Sequence, residues 1–492
     1  MFGGVDEAGL VGVIEDATRA EAAAAARRSA AIAALVTRRV VEDADESRSL
    51  WVCDGWDCAA AEIAAAMNIS HRKASGQMRI AETLRDHLPL VAGLFGAGRL
   101  NSRVVSAITW RTRLITDDAV WARIDAALAA RALKWGPLSD EKLVAAVDAL
   151  VHRFDPGAVI ESSEALRNED FVVGYYDDES GLTSVHGRLQ GPDAEVLKKK
   201  IAAMAATVCD NDPRTQGQRR GAAMRAWANG NSHLPCACGL STCPVAGQPA
   251  PKSSVVVTVV ADQTAVDAAM TDAATSAGAE TATTPQAAAT PARDVGTAIV
   301  SGTVVPTPML AELLRNGATL RQLCPPAAEP EAGYRPSAAL VRFIRCRDLT
   351  CRFPGCTMAA EFCDIDHVVP YPIGATHPSN LVCLCRKHHH LKTFWTGDWS
   401  LTLQPDGVAV WTAPTGRTYT THPGSRSFFP DWDTATTELP VPRHNHPPAV
   451  GREVKMPLRQ RTRAADYIAR IKTERAQNNR QHTQTDPDPP PF

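Results

Sequence analysis

At 492 residues, with 45% hydrophobic and 22% charged side chains, the chain has material for roughly two to four domains and a sizeable buried core. A formal net charge of −2 excludes a uniformly basic, polyanion-coating protein, so any basic surface is local. The N-terminus "MFGGVDEAGL" has neither a basic nor an apolar leader region, and no run of 18 or more apolar residues occurs, which predicts a cytoplasmic protein with no membrane partner.

Residues 1–160 read as a helical bundle, alanine-rich with helical apolar spacing and interrupted at "EDADESRSLWVCDGWD" and "WGPLSD". Within it, "AEIAAAMNISHRKASGQMRIAETLRD" resembles a helix-turn-helix. Ile63 and Met67 share one face, Ser70 caps, and Ala74, Met78, Ala81 and Leu84 recur at helical spacing. That leaves His71, Arg72, Lys73 and Arg79 outward, as a DNA-reading helix needs; ordinary bundle packing is the alternative.

Residues 161–334 read as an α+β continuation. Two strands flank the acidic turn of "DFVVGYYDDESGLTSVHGRL", and a helix starts near "GPDAEVLKKKIAAMAATV". "HLPCACGLSTCP" puts His233, Cys236, Cys238 and Cys243 in one short loop, a candidate second zinc site, with solvent-shielded thiols as the alternative. "KSSVVVTVVADQ" is a further strand, and residues 270–293 have too few large apolar groups to offset their ordering entropy, so they are expected to be a disordered insertion. The whole reads as a mainly α fold with α+β parts.

Residues 335–430 form a separate C-terminal module, entered through the amphipathic "SAALVRFIRCRD". The remaining 431–492 read as a basic helix and a disordered tail, with nine Lys/Arg against three Asp/Glu between Arg452 and Arg480. Most of the thirteen cysteines cluster beside histidines, which indicates metal ligation in a reducing compartment; the scattered Cys53, Cys58, Cys209 and Cys324 read as buried thiols.

In the module, Cys351 and Cys356 bracket "RFPG", a turn able to aim both thiolates at one point. Cys385 and His388, at i and i+3, share a face if "RKHHHLKTF" is helical. These four make a closed tetrahedral set for a structural zinc, with Cys346, Cys363 and Cys383 close enough in sequence to compete. Between the pairs lie Asp366, His367 and Asn380, and His389 follows. A carboxylate and an imidazole to hold one divalent ion, plus a neutral histidine to take a proton from water, are what phosphodiester hydrolysis requires. The strand-like "FCDIDHVVPY" and "SNLVCLC" with the helical "RKHHHLKTF" predict a β-β-α hairpin, on which Asp366 and His367 can cooperate only at a strand end. Arg342, Arg345, Arg347, Arg352, Arg386, Lys387 and Lys392 are candidates for meeting DNA phosphates, against the alternative that they solvate a face.

"CRFPGC", "DIDHVVP", "SNLVCLCRKHHHLKTFW" and "WTAPTGRTYTTHPGS" resemble the HNH module of the thirteen-E-twelve repeat family, whose members join a helical N-terminal domain of unknown function to a C-terminal HNH endonuclease domain. The resemblance implies a zinc-stapled ββα-metal fold. It implies that Asp366 and His389 bind a catalytic Mg²⁺ or other divalent ion, that His367 is the general base, that Asn380 orients the loop, and that Cys351, Cys356, Cys385 and His388 hold a structural Zn²⁺. A metal-binding histidine of some members corresponds to Thr393, and His390 makes the ligand assignment on this helix ambiguous by one residue. The expected function is metal-dependent hydrolysis of DNA phosphodiester bonds, with no small-molecule cofactor. The alternative is a non-catalytic DNA-binding or mobile-element-associated protein with a vestigial module.

Overall fold

A computed structural model describes residues 2, 4–42, 48–159, 170–177, 182–189, 191–240, 242–243, 259–278, 298–300, 303–304, 307–315, 318–395, 399–437, 439 and 455–484. The chain divides into two compact units, one comprising residues 1–160 and 319–492, the other residues 161–318.

The first unit opens with α1 (Glu7–Thr37), whose first turn is capped by the Asp6 carboxylate. The interruption before the second helix ends at Asp54, which caps α2 (Gly55–Met67). Asn68, in the left-handed region that an asparagine tolerates, closes α2, and Ser70 opens α3 (His71–Asp86). Then follow α4 (Pro89–Gly96), α5 (Ser102–Arg111), α6 (Asp118–Ala132) and α7 (Asp140–Phe154), packed around Leu88, Ile108, Ile124, Leu128 and Val147.

The second unit has an antiparallel pair, β1 (Asp170–Asp177) and β2 (Leu182–Arg188), followed by helices α8 (Gly191–Ala205) and α9 (Gln216–Ala228). A small sheet of β3 (Val259–Ala261), β4 (Ala298–Val300) and β5 (Thr303–Val304) accompanies α10 (Gln263–Gly278) and α11 (Thr307–Arg315). Residues 270–278, expected within a disordered insertion, belong to α10, where alanine's helix propensity suffices; 279–293 lie outside the described residues.

Back in the first unit, α12 (Ala338–Asp348) leads to β6 (Cys363–His367), β7 (Leu381–Cys385) and α13 (Arg386–Phe394). An antiparallel meander of β8 (Ser400–Leu403), β9 (Ala409–Thr412) and β10 (Thr418–Thr421) follows, and α14 (Arg463–Gln484) ends the described chain.

Residues 335–430 are not set apart from 1–160. Trp51, Cys53, Cys58 and Ala61 share one core with Ile344, Leu381, Cys383 and Trp411, and the Trp395 indole donates to the Cys53 carbonyl at 2.8 Å. The basic α14 is likewise no free arm. Tyr467 and Ile471 pack into the bundle core, Arg475 pairs with Asp155 at 2.7 Å, and Asn478 donates to the Gly157 and Val159 carbonyls. Among the described residues no helix is long and apolar enough to cross a membrane.

Candidate metal centre and active site

β6 and β7 pair in a register that sets Cys363 opposite Cys385 and His367 opposite Leu381. Cys385 occupies the cap position of α13, so one helical turn later His388 faces back toward it, its Nδ1 3.2 Å from the Cys385 Sγ and 3.4 Å from the Cys351 Sγ. The "RFPG" turn brings Cys356 to the same point, and all four ligand atoms lie within 4.8 Å of one another. A tetrahedral zinc with Zn–S of about 2.3 Å and Zn–N of about 2.0 Å requires an S···N edge of about 3.5 Å. The donor set thus suits a structural zinc. Burial pushes the Cys351 thiol up, while hydrogen bonds from Cys351 and Cys356 hold Cys385 far below its ordinary value.

The three competing cysteines are not members of this group. Cys363 donates to the Ala359 carbonyl, Cys383 lies against the Ile344 carbonyl, and burial pushes Cys346 up to about 11. Beneath the knuckle, Asp348 is 0% exposed and accepts from Arg347 Nε at 2.8 Å, Arg352 Nη1 at 2.9 Å and the Cys383 amide at 2.8 Å.

The turn between α2 and α3 seats the knuckle. A Cβ on Gly355, at φ +73°, would meet the Ile69 carbonyl oxygen at 2.5 Å, so only glycine fits this approach. The His71 ring lies edge-on to His388 at 5.7 Å and bonds the buried Asp57, which also takes Lys387, Arg459 and Arg463. Burial would raise the Asp57 carboxyl, but His71, Lys387 and Arg463 together hold it well below the usual carboxylate range. Arg79 is sandwiched between Trp56 and Tyr467. Of the four residues expected on the outward face of a reading helix, only Arg72 and Lys73 are exposed, because the pair packs inward on the C-terminal segments.

Along β6, Asp364 and Asp366 fall on one face, as alternate strand residues do, and His389 of α13 reaches both. Its Nδ1 is 2.9 Å from Asp364 Oδ2, and its Nε2 is 3.4 Å from Asp366 Oδ1. His390 turns away, buried against Phe394. His367, on the other face, is the last residue of β6. Its Nε2 lies 2.9 Å from the Thr376 hydroxyl, which is 2.6 Å from the Gly333 carbonyl. The hydroxyl's single proton goes to that carbonyl, so Nε2–H donates to Thr376 and Nδ1 carries the lone pair. Burial lowers the His367 pKa, with Asp366 opposing and Lys392 assisting, and Tyr334 stacks on the ring at 5.3 Å. Asn380 clips the loop after β6: its Oδ1 accepts from the Val369 amide at 2.8 Å, and its Nδ2 donates to the Val369 and Ala375 carbonyls at 3.0 Å.

Arg352, expected at the phosphate surface, is instead 2% exposed and bonded to Asp348 and to the Thr421 carbonyl. Arg347 is equally buried, donating to the Pro378 and Leu381 carbonyls. A guanidinium in this position braces the fold and cannot meet a phosphate. Lys387 pairs with Asp57, Lys392 with Asp366 Oδ2 at 2.7 Å and with the His367 carbonyl, and Arg386, 70% exposed, with Asp364 at 3.1 Å.

The upstream cluster assembles differently from its expected composition. Cys236, Cys238 and Cys243 converge with Cys209 and not with His233. Cys209, read as a buried thiol, is a partly exposed member of this group, and Cys324 is exposed. Besides Cys209, sequence reasoning overlooks Asp364, Tyr334 and Thr376. Asp364 has a local signal, the two-residue spacing from Asp366, whereas Thr376 comes from the irregular loop between β6 and β7 and Tyr334 from a segment ahead of α12.

Comparison with known proteins places residues 16–348 in a match to the family model described as Domain of unknown function (DUF222). The chain is 52% identical over 476 residues to the uncharacterized protein Rv3776 of Mycobacterium tuberculosis, covering 96% of this chain and 90% of that one. It is 50% identical over 495 residues to the uncharacterized protein Rv2100 of the same organism, covering 96% and 88%. No solved structure matches the chain.

Proposed function

This chain belongs to the DUF222 family, and we propose that its β6–β7–α13 unit, which lies beyond the residues that family model matches, is a metal-dependent endonuclease that hydrolyses DNA phosphodiester bonds. The observation that carries the reading is the meeting, on one zinc-compatible hairpin, of a carboxylate–imidazole pair with a neutral, oriented histidine.

Asp366 and His389 would hold the divalent ion. Their donor atoms, 3.4 Å apart, suit neighbouring positions on an octahedral ion, whose ligands at about 2.1 Å stand about 3.0 Å apart. Lys392 engages the other oxygen of Asp366, leaving Oδ1 for the ion. When bound, the ion supplies neutralisation of charge on the phosphate and the leaving oxygen. His367 Nδ1 takes the proton from water, Thr376 fixes the tautomer that makes Nδ1 basic, and Asn380 keeps the loop that presents the base in one shape. Asp364 holds the His389 ring from behind, as carboxylates commonly do for metal-bound imidazoles.

Incubating supercoiled plasmid with the protein, with and without Mg²⁺ or Mn²⁺, tests this: nicked or linear product appears only with the ion. The non-catalytic DNA-binding reading predicts salt-dependent retention of the plasmid with no product under any ion.

A further inference from the structure

The second unit carries a cluster of thiols that the proposed hydrolysis does not use. Helices α8 and α9 enclose a small core around Met204, Val208, Ala223 and Leu234, and each is followed by a loop that brings cysteine to its edge. Cys209 follows α8; Cys236, Cys238 and Cys243 follow α9. All four Sγ atoms lie within 4.8 Å of one another, and those of Cys209 and Cys236 are 3.5 Å apart. A disulfide needs about 2.05 Å, whereas the edge of a ZnS₄ tetrahedron with bonds of about 2.3 Å is about 3.8 Å.

The two loops are held together independently of the thiols. The Asp212 carboxylate accepts from Arg214 Nε at 2.9 Å and from the Ala237 amide at 2.9 Å, and Arg214 Nη2 donates to the Pro235 carbonyl at 2.7 Å. Thr207 Oγ1 takes the Leu234 amide at 3.3 Å. These bonds lie on either side of Cys209 and Cys236 and fix the convergence. Arg214 and Arg219, both at Asp212, place positive charge beside a centre that four thiolates and one Zn²⁺ would leave at −2.

We propose that Cys209, Cys236, Cys238 and Cys243 bind a second, structural zinc ion that staples the loop after α8 to the loop after α9. Four protein ligands leave no open position, so the ion does no chemistry; its binding energy is folding energy for a unit with a small core. The proposal is independent of the nuclease reading, since every ligand lies within residues 161–318.

The test uses the full chain purified with zinc, with metal released by a thiol-modifying reagent and counted per chain. The proposal expects two zinc ions in the wild type, one in Cys209→Ser, and two in His233→Ala. A zinc content in Cys209→Ser equal to that of the wild type overturns it. Cobalt substitution of the wild type gives a reading that needs no variant. Thiolate-to-cobalt absorption from seven thiolates, four here and three at Cys351, Cys356 and Cys385, supports the site; absorption from three overturns it.

Discussion

Replacing Asp348 with asparagine keeps its volume but removes the charge that holds two buried guanidiniums. Asp348, Arg347 and Arg352 are 0%, 1% and 2% exposed, so neither arginine can turn to water when its partner is lost. Removing one member of a buried ion pair costs about 3–5 kcal/mol. Asparagine retains one acceptor oxygen for the Cys383 amide or an arginine, which places the expected loss near the lower end, about 3 kcal/mol. Urea unfolding followed by tryptophan fluorescence reads the right unit, because of the ten tryptophans only Trp227 lies in residues 161–318. The variant should show a lower midpoint with an unchanged slope. The sign with pH is fixed. Burial would raise the Asp348 pKa, yet Arg347 and Arg352 bring it below its ordinary value, so its contribution is full above the unfolded value near 3.9 and lost as pH falls through the folded one. The difference between wild type and variant is therefore constant from about pH 5 to 8 and shrinks below about 4. A loss under about 1 kcal/mol, or a difference unchanged at low pH, would show that Asp348 does not hold the two guanidiniums as a buried charge.

Thr376→Val removes the acceptor that selects the His367 tautomer and lowers single-turnover cleavage roughly tenfold, with DNA affinity unchanged in a binding titration. Because burial lowers the His367 pKa, the cleavage rate rises with pH and is half-maximal below the ordinary histidine value of about 6.5; a pH–rate profile whose midpoint lies above that value contradicts the assignment. Asn380→Ala leaves the Val369 amide and two carbonyls without their partner, costing about 1–3 kcal/mol in urea unfolding and most of the cleavage activity. Lys392→Met removes a cation from Asp366 and tightens Mn²⁺ binding about fivefold or more by calorimetry, since like charges this close repel by at least about 1 kcal/mol even at the dielectric constant of water.

How legible each feature was in the sequence depends on how local its cause is. The helices of the first unit follow from alanine content, apolar spacing and caps such as Ser70 and Asp54, all within one turn of where they act. The zinc-compatible set of Cys351, Cys356, Cys385 and His388 was legible because each pair is set by short-range geometry, a turn and a helical face. What failed was long-range. Asp348 is four residues from Arg352, but nothing near Arg352 announces that Thr421, 69 residues on, completes its burial, and Cys209 stands 27 residues from Cys236 with a helix between them. Charge patterning also misled at α14, whose arginines look solvated in sequence but find Asp54, Asp57 and Asp155 hundreds of residues away. A run of charge identifies a polar face; only the fold decides whether that face meets solvent, a ligand or another acid.

The proposed hydrolysis depends most directly on His367. Cleavage of plasmid DNA by His367→Ala should be compared with wild type under Mg²⁺ or Mn²⁺, after metal analysis confirms an unchanged zinc content. Cutting by the wild type and a loss of about 10²–10⁴-fold in the variant are expected, with DNA binding retained. Cutting that survives the substitution, or a wild type that cuts with no divalent ion supplied, contradicts it.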